Sequence, residues 1–177
     1  VFVLCFNDAF TSDFRKADWG ISIDEVNELE TSEYLTTQSV EGVQFRIYKD
    51  VIFNNECLVF YFFAYDKLVR GKYMISVSER EVDSAFSNYL DLKEKISQKY
   101  GDFDYDTVVA TVDDKEIGED LLEEFKKGKL RFISIWYTYN SDILLLYEID
   151  FIILQYRSRE LNELEDMAKD DYYNDRL

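Results

Sequence analysis

Residues 43–77 constrain the fold more than any other part of this chain, because three β-strand patterns follow one another there with short polar breaks. In the first pattern, Val43, Phe45 and Ile47 alternate with polar residues, as in a strand that buries one face. The second pattern, residues 57–65, is apolar on both faces, which predicts a central strand covered on both sides. The stretch therefore predicts an antiparallel three-stranded meander.

The third pattern, residues 69–77, alternates again and places one face in water. The residues expected to point inward are Val69, Tyr73, Ile75 and Val77. Arg70 and Lys72 are expected on the opposite, wet face, as a basic exception in an acidic chain. They either pair with acidic neighbours or mark a contact with a partner.

Helices are predicted at four places. Ser22 and Glu25 have the S-x-x-E spacing of a capping box, which predicts a short helix that ends near Glu30. Apolar stripes predict the other helices at residues 83–100, from Ile117 to near Gly128, and at residues 159–168. An acidic tail, residues 170–175, follows the last helix and is expected to fray.

Further strands are predicted at residues 33–40, 130–139, 143–148 and 151–156. Together with the central meander they predict an α+β fold, in which helices pack on one face of an antiparallel meander sheet. A helix followed by a meander occurs twice, which fits either a duplicated unit or one long sheet. We expect a single domain over residues 13–177, with halves at 13–80 and 81–160 and a C-terminal helix and tail at 160–177.

Residues 1–12 differ from the rest of the chain. The apolar run VFVLCF precedes small residues, as at the end of a secretory signal peptide, and we expect cleavage between Ala9 and Asp13. The alternatives are an edge strand and a lipoprotein signal that modifies Cys5. We therefore expect a bacterial protein outside the cytoplasm, periplasmic or secreted, whose mature chain has no transmembrane segment.

The net charge narrows the classes of partner and of chemistry. Twenty Lys and Arg against 37 Asp and Glu give −17, which repels nucleic acids and anionic lipid surfaces and favours a basic or polar-aromatic protein partner. The chain has no His, the commonest general base and metal ligand. It shows no nucleotide-binding or nucleophile motif, so no cofactor is expected and most enzyme classes are disfavoured.

One acidic motif carries a metal signal. Asp102, Asp104 and Asp106 have the D-x-D-x-D spacing that opens a calcium-binding loop. However, Thr107 stands where the loop needs a Gly, and Asp113 stands where it needs a bidentate Glu. We therefore prefer a solvated acidic turn to a calcium site.

Two further signals concern reactive side chains. Cys57 lies on the strand that is apolar on both faces, so we expect a buried, unreactive thiol, with a disulfide to Cys5 as the alternative. The 37 acidic residues also allow a carboxylate pair that hydrolyses a substrate, as in glycosidases. Sequence spacing alone selects no such pair.

The pattern F-R-x-A-x-W-G-x-S-x-x-E-V begins at Phe14 and is followed by a polar strand, a hairpin ending in D-K-L-x-x-x-x-Y and a helix closing in K-Y-G. This order resembles a group of small exported bacterial proteins of unknown function. More distantly, it is similar to the outer-membrane assembly lipoproteins of the BamE (SmpA/OmlA) type and to the β-lactamase-inhibitor-protein fold. The resemblance covers residues 14–101 and implies a binding module without catalytic residues. Nothing after Gly101 shares it.

The predicted strands carry tyrosines that could form a binding surface. The candidates are Tyr48, Tyr137 and Tyr139, together with Arg70 and Lys72. Ordinary cross-strand packing is the other role open to these tyrosines. The function that the sequence favours is an exported protein-binding or inhibitory module without catalytic activity, and the alternative is a carboxylate-based hydrolase of the cell envelope.

Overall fold

The computed structural model describes residues 12–52, 55–78, 81–111, 118 and 120–175, which form one eight-stranded antiparallel sheet with helices. The strands are β1 (Glu33–Val40), β2 (Val43–Ile52), β3 (Asn55–Ala64), β4 (Lys67–Ser76), β5 (Tyr105–Ala110), β6 (Leu130–Tyr137), β7 (Ser141–Glu148) and β8 (Phe151–Ser158). Their order across the sheet is β1-β2-β3-β4-β8-β7-β6-β5. The predicted α+β class with an antiparallel meander sheet is confirmed.

Each half of the chain contributes a four-stranded meander to this sheet, and the two meanders meet where β4 pairs with β8. The N-terminal segment crosses that junction. Trp19 donates from its indole N–H to Ser141 Oγ at 2.9 Å, and Asn140 donates from its side chain to Asp13 at 3.0 Å. Side chains of the first half therefore hold the β6–β7 turn of the second.

The described residues form four helices, α1 (Ile23–Leu29), α2 (Val82–Tyr100), α3 (Leu121–Lys126) and α4 (Asn162–Asn174). The first three pack on one face of the sheet. Val26 of α1, Tyr89 of α2 and Phe125 of α3 are buried in one cluster with strand residues such as Tyr147. The predicted capping box at the start of α1 is confirmed, since Ser22 and the Glu25 side chain satisfy each other's backbone N–H groups.

α4 corrects the expectation that helices pack on one face only. It lies on the opposite face, where Ala168 is buried against Val43, Phe60 and Phe62. Gly42 permits this close approach, since a Cβ there would lie 2.3 Å from the Ala168 carbonyl oxygen. The acidic tail expected to fray is helical to Asn174, because this second apolar face gives the helix a surface to cover.

β3 is covered on both faces, as predicted. Phe60 and Phe62 belong to the cluster under α4, while Tyr61 and Phe63 belong to the cluster under the other helices. The alternation expected for β4 is wrong at Val69, which is buried on the α4 side instead of beside Tyr73. A β-bulge causes this, because the register of β3 and β4 shifts by one residue there.

Phe14 forms the centre of the packing at the junction of the two meanders. It is 1% exposed, and its ring lies 5.2 Å from those of Tyr61 and Tyr73 and 5.6 Å from that of Tyr156. Gly71 makes room for the ring, since a Cβ there would lie 2.2 Å from it. A glycine in the interior of β4 is thus explained by close packing.

Three predictions concern residues that the structure does not describe. They are the signal peptide in residues 1–11, the start of a helix at Ile117 and a disulfide between Cys57 and Cys5. β5 was not predicted. Among the described residues, no helix has the length and apolar character needed to cross a membrane.

Candidate functional site

One part of the sheet face on the α4 side is left uncovered by the described residues. In β6, β7 and β8, buried side chains that point toward α2 and α3 alternate with half-buried ones that point away. α4 packs mainly over β2, β3 and β4. We call the half-buried apolar residues on this side the open sheet face. They are Ile133, Ile135, Leu144, Leu146 and Ile153, together with Leu58 and Met74, which continue the row and also pack against the cluster under α4.

The strand registers align most of the open sheet face in one row. From β6 to β3, the row consists of Ile133, Leu146, Ile153, Met74 and Leu58, each opposite the next. Ile135 and Leu144 form a shorter row beside it. Strands lie about 4.8 Å apart, so the long row extends for roughly 19 Å. A continuous row of partly exposed apolar residues is a candidate surface for a protein–protein contact.

Basic residues outnumber acidic ones on this side of the same five strands, although the whole chain carries −17. The basic residues are Lys67, Arg70, Lys72, Arg131 and Arg157, and the acidic ones are Glu56, Asp142 and Glu148. Each of these three acidic residues already has a basic partner, at 3.2 Å, 3.4 Å and 3.3 Å respectively. Among the strand residues the cations are therefore in surplus, whereas α4 on the same face is acidic, with Glu163, Glu165, Asp166, Asp170 and Asp171 against Lys169.

Lys72 lies next to the apolar rows, opposite Gln155 of β8 and Phe60 of β3. Its ammonium is 4.3 Å from the centre of the Phe60 ring. Within the described chain it has no ion-pair partner. Burial, and secondarily the nearby charge of Arg70, lower the pKa of Lys72. Lys72 is thus a half-buried cation that no carboxylate of the described residues balances.

Arg70, the other basic residue predicted as a contact, is paired inside the molecule. It lies 2.6 Å from Glu165 of α4, and its guanidinium stacks 3.8 Å from the centre of the Phe62 ring. α4 therefore covers Arg70 and leaves Lys72 at the border of the open sheet face. Of the two roles that the sequence allowed for these residues, Arg70 has the internal one.

The predicted tyrosines do not form one surface. Tyr48 is 3% exposed on the face of α1, where its hydroxyl donates to Asn27 at 3.1 Å, so its assignment to a binding surface is wrong. Its ring packs edge-on against Tyr61, which is the ordinary core role. Tyr137 is 54% exposed at the rim of the open sheet face, and Tyr139 is 96% exposed in the β6–β7 turn.

The structure brings two carboxylates together around one cation, Arg15. Its guanidinium lies 2.6 Å from Asp50 and 3.2 Å from Glu30. Glu30 also accepts hydrogen bonds from the Tyr61 hydroxyl at 2.5 Å and from the backbone N–H of Ser32 at 2.9 Å. This cluster ties the N-terminal segment to α1 and β2.

Both carboxyl groups of this cluster are ionised at neutral pH. Burial raises the pKa of Glu30, but hydrogen bonds from Tyr61 and Ser32 and the charge of Arg15 outweigh it, so the net shift is downward. The pKa of Asp50 is likewise lowered. A glycosidase needs one protonated carboxyl group as its acid. A cavity of about 260 Å³ lies nearby, but its wall contains Arg15 and neither carboxylate. The cluster has the character of a structural ion pair.

Two residues of the acidic motif have structural contacts, and the Cys57 thiol is buried. Asp104 accepts a hydrogen bond from the Tyr137 backbone N–H at 2.7 Å, and Asp106, within β5, lies 2.6 Å from Lys93. Among the described residues, no group of three or more potential ligands is placed to hold a metal ion. Cys57 is buried, which raises the pKa of its thiol to about 11.

In comparisons with known proteins, the chain matches no protein-family model, no curated protein and no solved structure. The resemblance to exported binding modules therefore stays a prediction. The geometry of the open sheet face and of Lys72 carries the functional assignment.

A signal for the open sheet face is present in the sequence. β7 is apolar at successive positions, such as Ile143 to Leu146, which is the pattern of a strand covered on both sides. Of the helices that the structure describes, those packed on β7 lie on one side of it. The sequence predicts more apolar strand surface than its predicted helices can cover. That difference was not used to predict an exposed apolar face from the sequence.

Proposed function

We propose that this chain is a protein-binding module without catalytic activity and that its binding surface is the open sheet face. The observation that carries the proposal is the row of half-buried apolar residues that crosses five strands and that the described residues leave partly exposed. Burying such a row against a partner removes apolar surface from water, at about 25 cal/mol per Å². Location outside the bacterial cytoplasm remains part of the proposal and rests on the N-terminal sequence.

Site-specific photo-crosslinking tests this surface. A benzophenone amino acid at Ile153, in the middle of the row, is expected to trap a partner protein in cells that produce the chain naturally. The same group at Leu90, which is 47% exposed on α2, is the matched control and is expected to trap none. Equal products from both positions, or none from Ile153, would remove the basis for the proposal.

A neutral polar substitution tests the apolar contact without changing the charge of the surface. Leu146→Asn removes apolar contact area in the same row, and we expect it to abolish the cross-link from Ile153. The urea unfolding midpoint of the variant is measured as well, so that lost binding is distinguished from lost stability at this strand position. Leu90→Asn on α2 is the control. Mass spectrometry of the exported chain tests the location, since cleavage between Ala9 and Asp13 is expected.

A carboxylate-based hydrolase is the alternative, and a screen of ester, peptide and glycoside substrates tests it. Turnover that Glu30→Gln or Asp50→Asn abolishes would favour that alternative. The ionised state of both groups and their separation from the cavity argue for a structural role.

A further inference from the structure

α4 shows what kind of element this sheet face accepts. It is a short amphipathic helix, acidic in its first turn, that places Leu164 and Ala168 on apolar strand residues. Its buried Glu165 binds the strand cation Arg70 at 2.6 Å. A helix with an apolar stripe and a carboxylate beside it is thus complementary to this side of the sheet.

The position of α4 leaves room for a second helix beside it. α4 lies toward the turns that follow β1 and β3, since Tyr65 donates a hydrogen bond to Asp171, and Tyr173 donates one to Glu41. Lys72 is two residues further along β4 than Arg70, which is about 6.7 Å. Packed helices lie about 8–10 Å apart. A second helix next to α4 would therefore lie over Lys72 and the apolar row that contains Ile153.

The length of the row also fits a helix. It extends for roughly 19 Å across five strands, which corresponds to about 13 helical residues at 1.5 Å per residue. α4 itself has 13 residues. A partner helix of ordinary length would thus cover the row from Ile133 to Leu58.

The charged residues on this face favour one sign of charge on the partner helix. Lys72 and Arg157 have no ion-pair partner among the described residues, whereas Glu56, Asp142 and Glu148 are paired. A partner with basic flanks would meet these cations, and one with acidic flanks would pair with them. Lys72 and Arg157 act on a bound partner at contact distance, whereas charges more than about 8 Å away, including much of the overall −17, are screened at physiological salt.

We infer that the partner binds through an acidic amphipathic helix of about 13 residues that lies beside α4 on the open sheet face and places a carboxylate on Lys72. This inference rests on the proposed function and specifies its partner. It reverses the partner charge expected from composition.

Two synthetic helical peptides of equal length, with the same leucine stripe, test the inference. One carries Glu on its flanks and the other carries Lys. We expect the acidic peptide to bind at least about tenfold more tightly by titration calorimetry. Lys72→Gln is expected to weaken its binding about tenfold, as for loss of a charge-assisted contact. Lys16→Gln removes an equal charge at an exposed position outside the sheet and is expected to change the binding constant less than twofold.

The inference is overturned if the basic peptide binds as tightly as the acidic one or if Lys72→Gln has no effect on the acidic peptide. It is also overturned if the α4 of a second copy is the occupant, which sedimentation would show as a dimer that Lys72→Gln dissociates. If Ile153 traps a partner but neither peptide binds, the proposed function stands and this inference fails. If Ile153 traps nothing, the proposed function itself fails.

Discussion

The contact between the Phe14 ring and Gly71 predicts how substitutions at these two positions change the stability of the fold. Phe14→Ala removes a ring that is 1% exposed and touches aromatic residues from three strands. Loss of a buried Phe costs about 3–5 kcal/mol of unfolding free energy. Gly71→Ala alone forces a Cβ to within 2.2 Å of the same ring, and overpacking of this kind costs about 1–3 kcal/mol.

The two substitutions are expected to be strongly non-additive. In the Phe14→Ala background the ring that clashes with a Cβ is gone, so Gly71→Ala should cost little or fill part of the cavity. The double variant should therefore be more stable than the sum of the single effects predicts, by about 1 kcal/mol or more. If the alanine variant leaves too little folded protein, Phe14→Leu supplies the same test with a smaller loss of volume.

Urea unfolding followed by tryptophan fluorescence measures the coupling, since Trp19 lies next to Phe14 with 6.5 Å between ring centres. Effects that add within about 0.5 kcal/mol would show that the N-terminal segment does not pack on β4 as described. The control is Asp18→Ala, which changes an exposed residue of the same segment and is expected to leave the midpoint unchanged.

Three further predictions concern other parts of the fold. Phe60→Ala should cost about 3–5 kcal/mol, and a change under about 1 kcal/mol by urea unfolding would contradict the burial of β3 between two layers. Lys72→Met should stabilise the fold by about 0.5–2 kcal/mol at pH 7. Burial lowers the pKa of the Lys72 ammonium, so the charged form reduces the stability of the fold at pH values below that pKa. A lower urea unfolding midpoint for the variant would contradict this. Glu30→Gln should destabilise the fold at pH 7, because the ionised Glu30 carboxylate, whose pKa is lowered, stabilises it. The difference in unfolding free energy between the variant and wild type should shrink as the pH falls below about 4, where Glu30 becomes protonated. A pH-independent difference, or the same profile for the exposed Glu28→Gln, would count against that ion pair.

Strand periodicity predicted the sheet well wherever no bulge interrupts it. The side chains of Phe60 and Tyr61 divide between the two faces as alternation requires. Val69 breaks this rule, because a bulge inserts one residue and turns the side chain to the α4 side. Whether a bulge occurs depends on the pairing with β3, which a single strand's pattern does not contain.

The candidate site was only partly predictable, because its residues are distant in sequence. Lys72 was identified as a basic exception, but that no described carboxylate pairs with it depends on where α4 lies. Tyr48 was predicted on the binding surface but lies in the core. Tyrosine occurs in both places, because one hydrogen bond, here to Asn27, is enough to satisfy a buried hydroxyl. β5 was missed because Asp106 and its acidic neighbours obscured a short strand that pairs with β6.

The pairing of β4 with β8 has a consequence for synthesis of the chain on the ribosome. β1 to β4 are complete at Ser76, but the strand that covers the β4 edge ends only at Ser158. At about 5–20 residues per second, the intervening residues, about 80 of them, take roughly 4–16 s to be made. During that interval the first meander presents an unpaired β4 edge to other nascent chains. Slower elongation between the two strands should therefore increase the fraction of chain that aggregates before release.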